Sequence, residues 1–196
     1  MSKKDDILEA AMRLFNEHGY TAVGVDLIRD EAKVSKMTLY KYFKNKDKLV
    51  EAVLELRHQR FSSSLVSALD GLATPEQRLQ ELFDWHLRWF LSRNFFGCMF
   101  IKALGEFQGN DELQNVSQNH KRWLAELLEQ ILKDMGMSEA KAKGVFLQVV
   151  LDGMIVNANL FRSYNQLNET WRITCQSLGL PYTPLKKPED TAALSF

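Results

Sequence analysis

The stretch Ser35-Lys36-Met37-Thr38-Leu39-Tyr40-Lys41-Tyr42-Phe43 decides the fold. Ser35 is a strong N-cap, because its hydroxyl can accept an early backbone N–H, and so a helix begins at Lys36. Within that helix Leu39 and Phe43 stand four residues apart and share an inward face. Lys36, Met37, Thr38, Lys41 and Tyr42 are left to face outward. Just upstream, Val25, Leu27, Ile28 and Ala32 recur at helical spacing among Asp26, Arg29, Asp30 and Glu31, which predicts a short amphipathic helix ending near Lys33. Val34 lies between the two as an apolar plug. Two short helices joined by about three residues make a helix-turn-helix.

The outward set suits a DNA groove. Lys36 can reach base edges or phosphate, the Thr38 hydroxyl and the Tyr42 phenol can bond phosphate oxygens, and Met37 can meet a thymine methyl. The whole chain has zero formal net charge, so its bulk field points to no nucleic-acid partner. Between residues 33 and 48, however, Lys33, Lys36, Lys41, Lys44, Lys46 and Lys48 face a single acid, Asp47. Such a local basic surface neutralises phosphate, and its binding weakens steeply with salt.

Residues 5–55 resemble the DNA-binding domain of the TetR/AcrR family of bacterial regulators. The likeness is carried in order by Asn16-Glu17-His18-Gly19-Tyr20, by Val25 to Ala32, by Val34 to Phe43 and by Asn45-Lys46-Asp47-Lys48-Leu49. The resemblance implies that Lys36, Met37 and Thr38 open the recognition helix, and that Tyr42 and Lys46 bind phosphate. Two departures stand out: Lys33 occupies a place where the family usually has glycine, and Gly24 lies near a usual serine or threonine. Lys33 either strains the turn or adds a phosphate contact. Loss of the hydroxyl at Gly24 leaves the share of Thr21 and Val25 in DNA contact open.

The flanking segments extend an all-α reading. Ile7, Leu8, Ala11, Leu14 and Phe15 form a stripe on a first helix closed by His18-Gly19. A long fourth helix runs from about residue 46 through Leu49, Val50, Val53, Leu54, Leu56 and Phe61 towards Asp70-Gly71. Thr74-Pro75-Glu76-Gln77 is a capping box that opens a helix carrying Leu79, Leu82, Phe83, His86, Leu87, Trp89 and Phe90. Further helices are expected over 98–107, 111–135, 139–162 and 168–178, followed by an irregular tail with Pro181, Pro184 and Pro188. The expected organisation is a three-helix helix-turn-helix domain over 1–48, joined by the fourth helix to a helical effector-binding and dimerisation bundle over 49–196.

With 45% hydrophobic residues, a chain of 196 residues can bury a substantial core. No apolar run is expected to span a bilayer, and Cys98 and Cys175 are too few for a disulfide framework or a zinc site. The cytoplasm is the simplest compartment, with no membrane, no metal and no cofactor expected. The second domain is rich in aromatic residues, which fill cores but also line concave sites for small apolar or aromatic molecules. Trp85, His86, Trp89, Phe100, Phe107, His120, Trp123 and Asn157 are the candidate effector contacts; each reads either as lining or as core.

Gly97-Cys98-Met99-Phe100 opens a helix with a thiol at its N-terminus and Lys102 four residues on, an arrangement that favours thiolate. It resembles the Gly-Cys segment of a TetR-family branch in which some members sense electrophiles or oxidants, so Cys98 reads as a sensor or as a small packing residue. The resemblance also implies a two-fold dimer through the last two helices, for which Val149, Gly153, Val156 and Trp171 are the candidate contacts. Two heads then read a palindrome in double-stranded DNA. The expected function is a ligand-responsive homodimeric repressor, released from its operator by a small molecule or by modification of Cys98. A helical adaptor that binds protein, with weak DNA binding, is the alternative. An enzyme is not expected, since no nucleophile–base set, phosphate loop or metal cluster is recognisable.

Overall fold

The computed structural model describes residues 2–188. The portion of the expected second domain and tail over 189–196 lies outside the described residues. Among those residues there are nine helices and no strand: α1 (Lys3–His18), α2 (Val25–Glu31), α3 (Lys36–Tyr42), α4 (Lys46–Leu69), α5 (Pro75–Phe90), α6 (Met99–Glu106), α7 (Asp111–Asp134), α8 (Ala140–Phe161) and α9 (Tyr164–Leu178). The chain packs as two compact units, Met1–Arg60 with Cys98–His120 and Phe61–Gly97 with Lys121–Phe196. They differ from a division near residue 48 because α6 and the first part of α7 pack with the N-terminal helices.

In the first unit, Ser2 and Asp5 close a capping box at the start of α1. Ile7, Ala11 and Phe15 are fully buried on one face of that helix, and Ile28 of α2 and Leu39 of α3, on the helices that pack with it, are buried too. Gly19 ends α1 with φ +82°, a region that an L side chain rarely adopts, and returns its N–H to the Phe15 carbonyl. The α2 stripe is narrower than its spacing predicts. Ile28 and Ala32 are buried, whereas Leu27 is 47% exposed, because a helix of seven residues has only one inward turn.

α6 is tied to the last turn of α1 and the loop after it at three places. The Tyr20 hydroxyl donates to the Met99 carbonyl at 2.9 Å, Lys102 Nζ donates to the Asn16 carbonyl at 2.7 Å, and Glu106 accepts the backbone N–H groups of Tyr20 and Thr21. Arg57 of α4 is buried in this unit, a position the hydrophobic pattern does not mark. Burial lowers its pKa to about 10, offset in part by the nearby Cys98 and Tyr20.

In the second unit, Thr74 and Gln77 form the expected capping box of α5. Phe83 stacks on Trp171 with ring centroids 4.1 Å apart, and Phe61 meets Trp85, Trp89 and Trp123 edge to face. Gly144 lets α8 cross α7 closely: a Cβ there would lie 2.9 Å from the Ala125 carbonyl oxygen and the Glu129 nitrogen. Residues 181–188 are irregular, as expected, but they are tethered. Trp171 Nε1 donates to the Thr183 carbonyl, the Tyr164 hydroxyl to the Leu185 carbonyl, and the Lys186 N–H to Asp84 Oδ1 at 2.7 Å. α8 also corrects the reading that no apolar run is long enough to span a bilayer, since by length and composition alone Ala140–Phe161 is. One such helix is weak evidence of a span.

Candidate nucleic-acid interface

α3 is built as its capping residues predict. Ser35 Oγ accepts the Thr38 N–H at 3.0 Å, and Phe43 at the far end leaves the helix with φ −130° and returns its N–H to the Leu39 carbonyl. Leu39 and Phe43 are buried, which fixes the helix and presents its other side. On that side Met37 is 82% exposed, with Lys36, Lys41 and Tyr42 also exposed. Tyr40 is exposed as well, which the sequence reading missed. Its spacing of three from Met37 was the available signal, because residues three apart share a helix face.

Three of the expected DNA contacts meet competing partners. The Thr38 hydroxyl lies 2.8 Å from Ser35 Oγ, so it completes the helix cap before it reaches any phosphate. Lys36 Nζ lies 3.5 Å from Asp26, an exposed pair that is weak and exchangeable. Thr21 turns its backbone N–H to Glu106 at 2.6 Å, and its side chain also favours the Glu106 carboxylate. Thr21 is exposed, so Glu106 is a competitor for it rather than a barrier to DNA.

The lysine set is likewise uneven. Lys48 Nζ bonds both Glu51 and Glu112 at 2.8 Å, and these two partners raise its pKa. A lysine paired twice adds little to a positive surface. Lys33 occupies the left-handed region with φ +52°, so the turn keeps a glycine-like backbone without a glycine. Lys46 stands at the first position of α4, where Asn45 Oδ1 caps the helix through the Lys48 N–H at 2.9 Å. Gly24 starts α2 with no side-chain cap, in keeping with its missing hydroxyl.

The candidate effector residues divide between the units. In the first unit, Phe100 stacks on His120 at 3.7 Å and 9°, His120 Nδ1 lies 3.0 Å from His58 Nδ1, and Phe107 packs edge-on against Tyr20 at 5.5 Å. Phe107 therefore anchors α6 to the loop after α1. In the second unit, Trp85, His86, Trp89 and Trp123 share the aromatic cluster around Phe61. Asn157 lies elsewhere, in a groove of roughly 840 Å³ between α8 and α9 with Phe146, Phe161 and Ile173. Cys98 is the N-cap of α6, 5% exposed, and lies in the electrostatic field of buried Arg57.

α8 and α9 carry the apolar exposed face. Val149, Val156, Leu160 and Phe161 are each more than half exposed, and open space surrounds the position a Gly153 Cβ would take. Trp171 does not belong to that face. It is 2% exposed, stacked on Phe83 and bonded to Thr183, and this corrects its reading as an interface residue.

Residues 7–53 match the profile of bacterial regulatory proteins, tetR family, and the match spans the cap, plug and recognition helix described above. Residues 7–53 thus carry the tetR-family DNA-binding domain. A TetR-family transcriptional regulator from Streptomyces coelicolor shares the fold at a TM-score of 0.83, with 24% identity over 90% of this chain and 93% of that one. The HTH-type transcriptional repressor NicS of Pseudomonas putida is 35% identical over 89 residues, covering 43% of this chain and 42% of NicS. An HTH-type transcriptional regulator of Mycobacterium tuberculosis is 23% identical over 75% of this chain and 83% of its own length. The NicS match thus spans less than half of either protein, whereas the TetR fold extends through nearly all of the described chain.

Proposed function

We propose that this TetR-family chain is a DNA-binding transcriptional regulator, a repressor that holds a palindromic operator as a homodimer in the cytoplasm. The observation that carries the reading is the outward face of α3, where Lys36, Met37, Tyr40, Lys41 and Tyr42 are exposed together on a helix fixed from behind by Leu39 and Phe43. Lys36 to Thr38 read bases, and Tyr42 with Lys46 holds phosphate. The head responsible for this is residues 1–48, and residues 49–196 serve effector binding and dimerisation.

The dimer forms through the exposed side of α8 and α9. A run of exposed Val149, Val156, Leu160 and Phe161 is a larger apolar surface than scattered residues make, and such patches mark interfaces. Pairing these faces gives two heads spaced to read successive major grooves. It also accounts for the apolar length of α8 without a membrane.

A small apolar or aromatic molecule, received among Trp85, His86, Trp89 and Trp123, releases the DNA. It does so only to the extent that it binds the non-operator state more tightly. Modification of Cys98, the thiol at the N-cap of α6, is a second route to release. The deciding experiment is a gel shift against the DNA upstream of the chain's own gene. A shift that weakens steeply with salt is expected; no shift at low salt from an intact dimer would overturn the reading and favour a protein-binding adaptor.

A further inference from the structure

His86 lies on the inner face of α5, 1% exposed, and its two ring nitrogens meet different surroundings. Nδ1 is 2.8 Å from the carbonyl oxygen of Leu82, one turn back along the helix. A carbonyl oxygen only accepts, so Nδ1 carries the proton and Nε2 keeps its lone pair. Among the described residues no protein group pairs with Nε2, although it is wholly shielded from solvent. A buried acceptor left in that condition keeps the full penalty of its lost hydration. Leucine or phenylalanine would fill the same space without that cost.

The shell around the imidazole is aromatic. Phe61, Trp85, Trp89 and Phe90 surround it with ring centroids 5.7, 5.1, 6.3 and 5.8 Å away and interplanar angles of 61° to 73°. The Trp85 indole N–H, a donor in this shell, is directed to Ser64 Oγ at 3.3 Å instead. A flat ligand ring in this shell would meet edge-to-face neighbours on its apolar body. Its polar atom then determines the fit.

We propose that His86 Nε2 is the acceptor for an aromatic effector that carries a neutral O–H or N–H donor, of the phenol or indole kind. The proposal rests on the reading that the second unit receives a small molecule. Three neighbouring chemistries fit less well. A carboxylate sets lone pair against lone pair. A ring without a donor leaves Nε2 as costly as before. A cationic amine would have to bury its charge beside an imidazole that burial already holds neutral, with a pKa of about 4. Neutral hydrogen-bond donation is what remains, and such sites discriminate strongly against analogues that lack the donor.

The test titrates the full chain with 2-naphthol, 2-methoxynaphthalene and 2-naphthoate, read by tryptophan fluorescence and by nitrogen NMR of labelled histidine. 2-Naphthol is expected to bind at least about tenfold more tightly than its methyl ether, which matches the lower end of an unpaired-acceptor penalty. The Nε2 resonance should move with 2-naphthol alone, and His86→Phe should abolish the preference. Equal affinity for the naphthol and the ether overturns the inference, and so does tighter binding of the naphthoate or an unmoved Nε2 resonance in the naphthol complex. If the probes bind without preference, the effector reading survives and only the role of His86 falls. If none binds, the inference falls; the effector reading is then judged apart, by whether any of a panel of small apolar molecules releases operator DNA.

Discussion

Glu106, the last residue of α6, accepts the backbone N–H of Thr21 at 2.6 Å across 85 residues of sequence. Burial alone would raise its pKa, but the bonds from Thr21 and Tyr20 and the charge of Lys102 outweigh it, and the carboxyl ends below its ordinary range. A depressed carboxylate stabilises the fold at pH values above its unfolded pKa and loses that contribution as pH falls through the folded one. Glu106→Gln should therefore lower stability by about 1 kcal/mol at neutral pH, a figure reduced for an exposed site. Thermal unfolding of the two proteins should converge in acid. A gap of the same size at about pH 3 would rule out the charge as the cause.

Lys33→Gly should stabilise the protein. The lysine holds φ +52° at the turn between α2 and α3, and glycine takes that conformation without the steric cost. A gain of about 1 kcal/mol is expected, visible in denaturant midpoint. An unchanged or lower midpoint would mean that the lysine side chain contributes as much as its backbone costs.

Lys46→Ala should weaken binding to every DNA sequence alike and reduce the slope of affinity against salt by about one unit. Lys36→Ala and Met37→Ala should behave differently, changing the preference among operator bases. Binding-site selection on the three variants separates the two roles. If neither of the α3 variants changes the preference, base reading lies elsewhere, with exposed Tyr40 the next residue to test.

Val156→Asp should dissociate the dimer. Val156 is 52% exposed on α8, so the change costs the separate protomer little, while a paired face would have to bury the new charge. Sedimentation should show dimer affinity reduced at least about tenfold, equivalent to 1.4 kcal/mol. A variant that remains dimeric would place the interface away from this part of α8.

Cys98→Ser should leave operator binding in place and abolish release by an electrophile such as N-ethylmaleimide. Equal release of the variant and the parent would show that Cys98 is only a packing residue at the start of α6. Its 5% exposure makes slow modification of the parent the expected behaviour.

The legible parts of this molecule were local. Ser35 with Thr38, Thr74 with Gln77, and the pairing of Leu39 with Phe43 all lie within four residues, and short-range spacing specifies each of them. The recognition surface of α3 followed from them, apart from Tyr40. What escaped the sequence was set by distant partners. Glu106 competes for Thr21, Lys48 looked like part of a basic surface until Glu112 paired with it, and Trp171 looked exposed until Phe83 covered it. Asn157 and His86 read as one set, although the first lines the α8–α9 groove and the second lies in the aromatic core. Helical periodicity tells which side of a helix is inward but not which neighbour waits there.

The tether between Lys186 and Asp84 closes a span of 102 residues. Closure of so long a loop belongs late in folding, after local helices have formed. On a ribosome, the carboxylate of α5 and the Trp171 indole must wait for residues 183–186 to leave the exit tunnel. The second unit can thus be completed only after residues 183–186 have been made. A stop codon before Thr183 would therefore remove a lock on Trp171 and Asp84 rather than a loose segment.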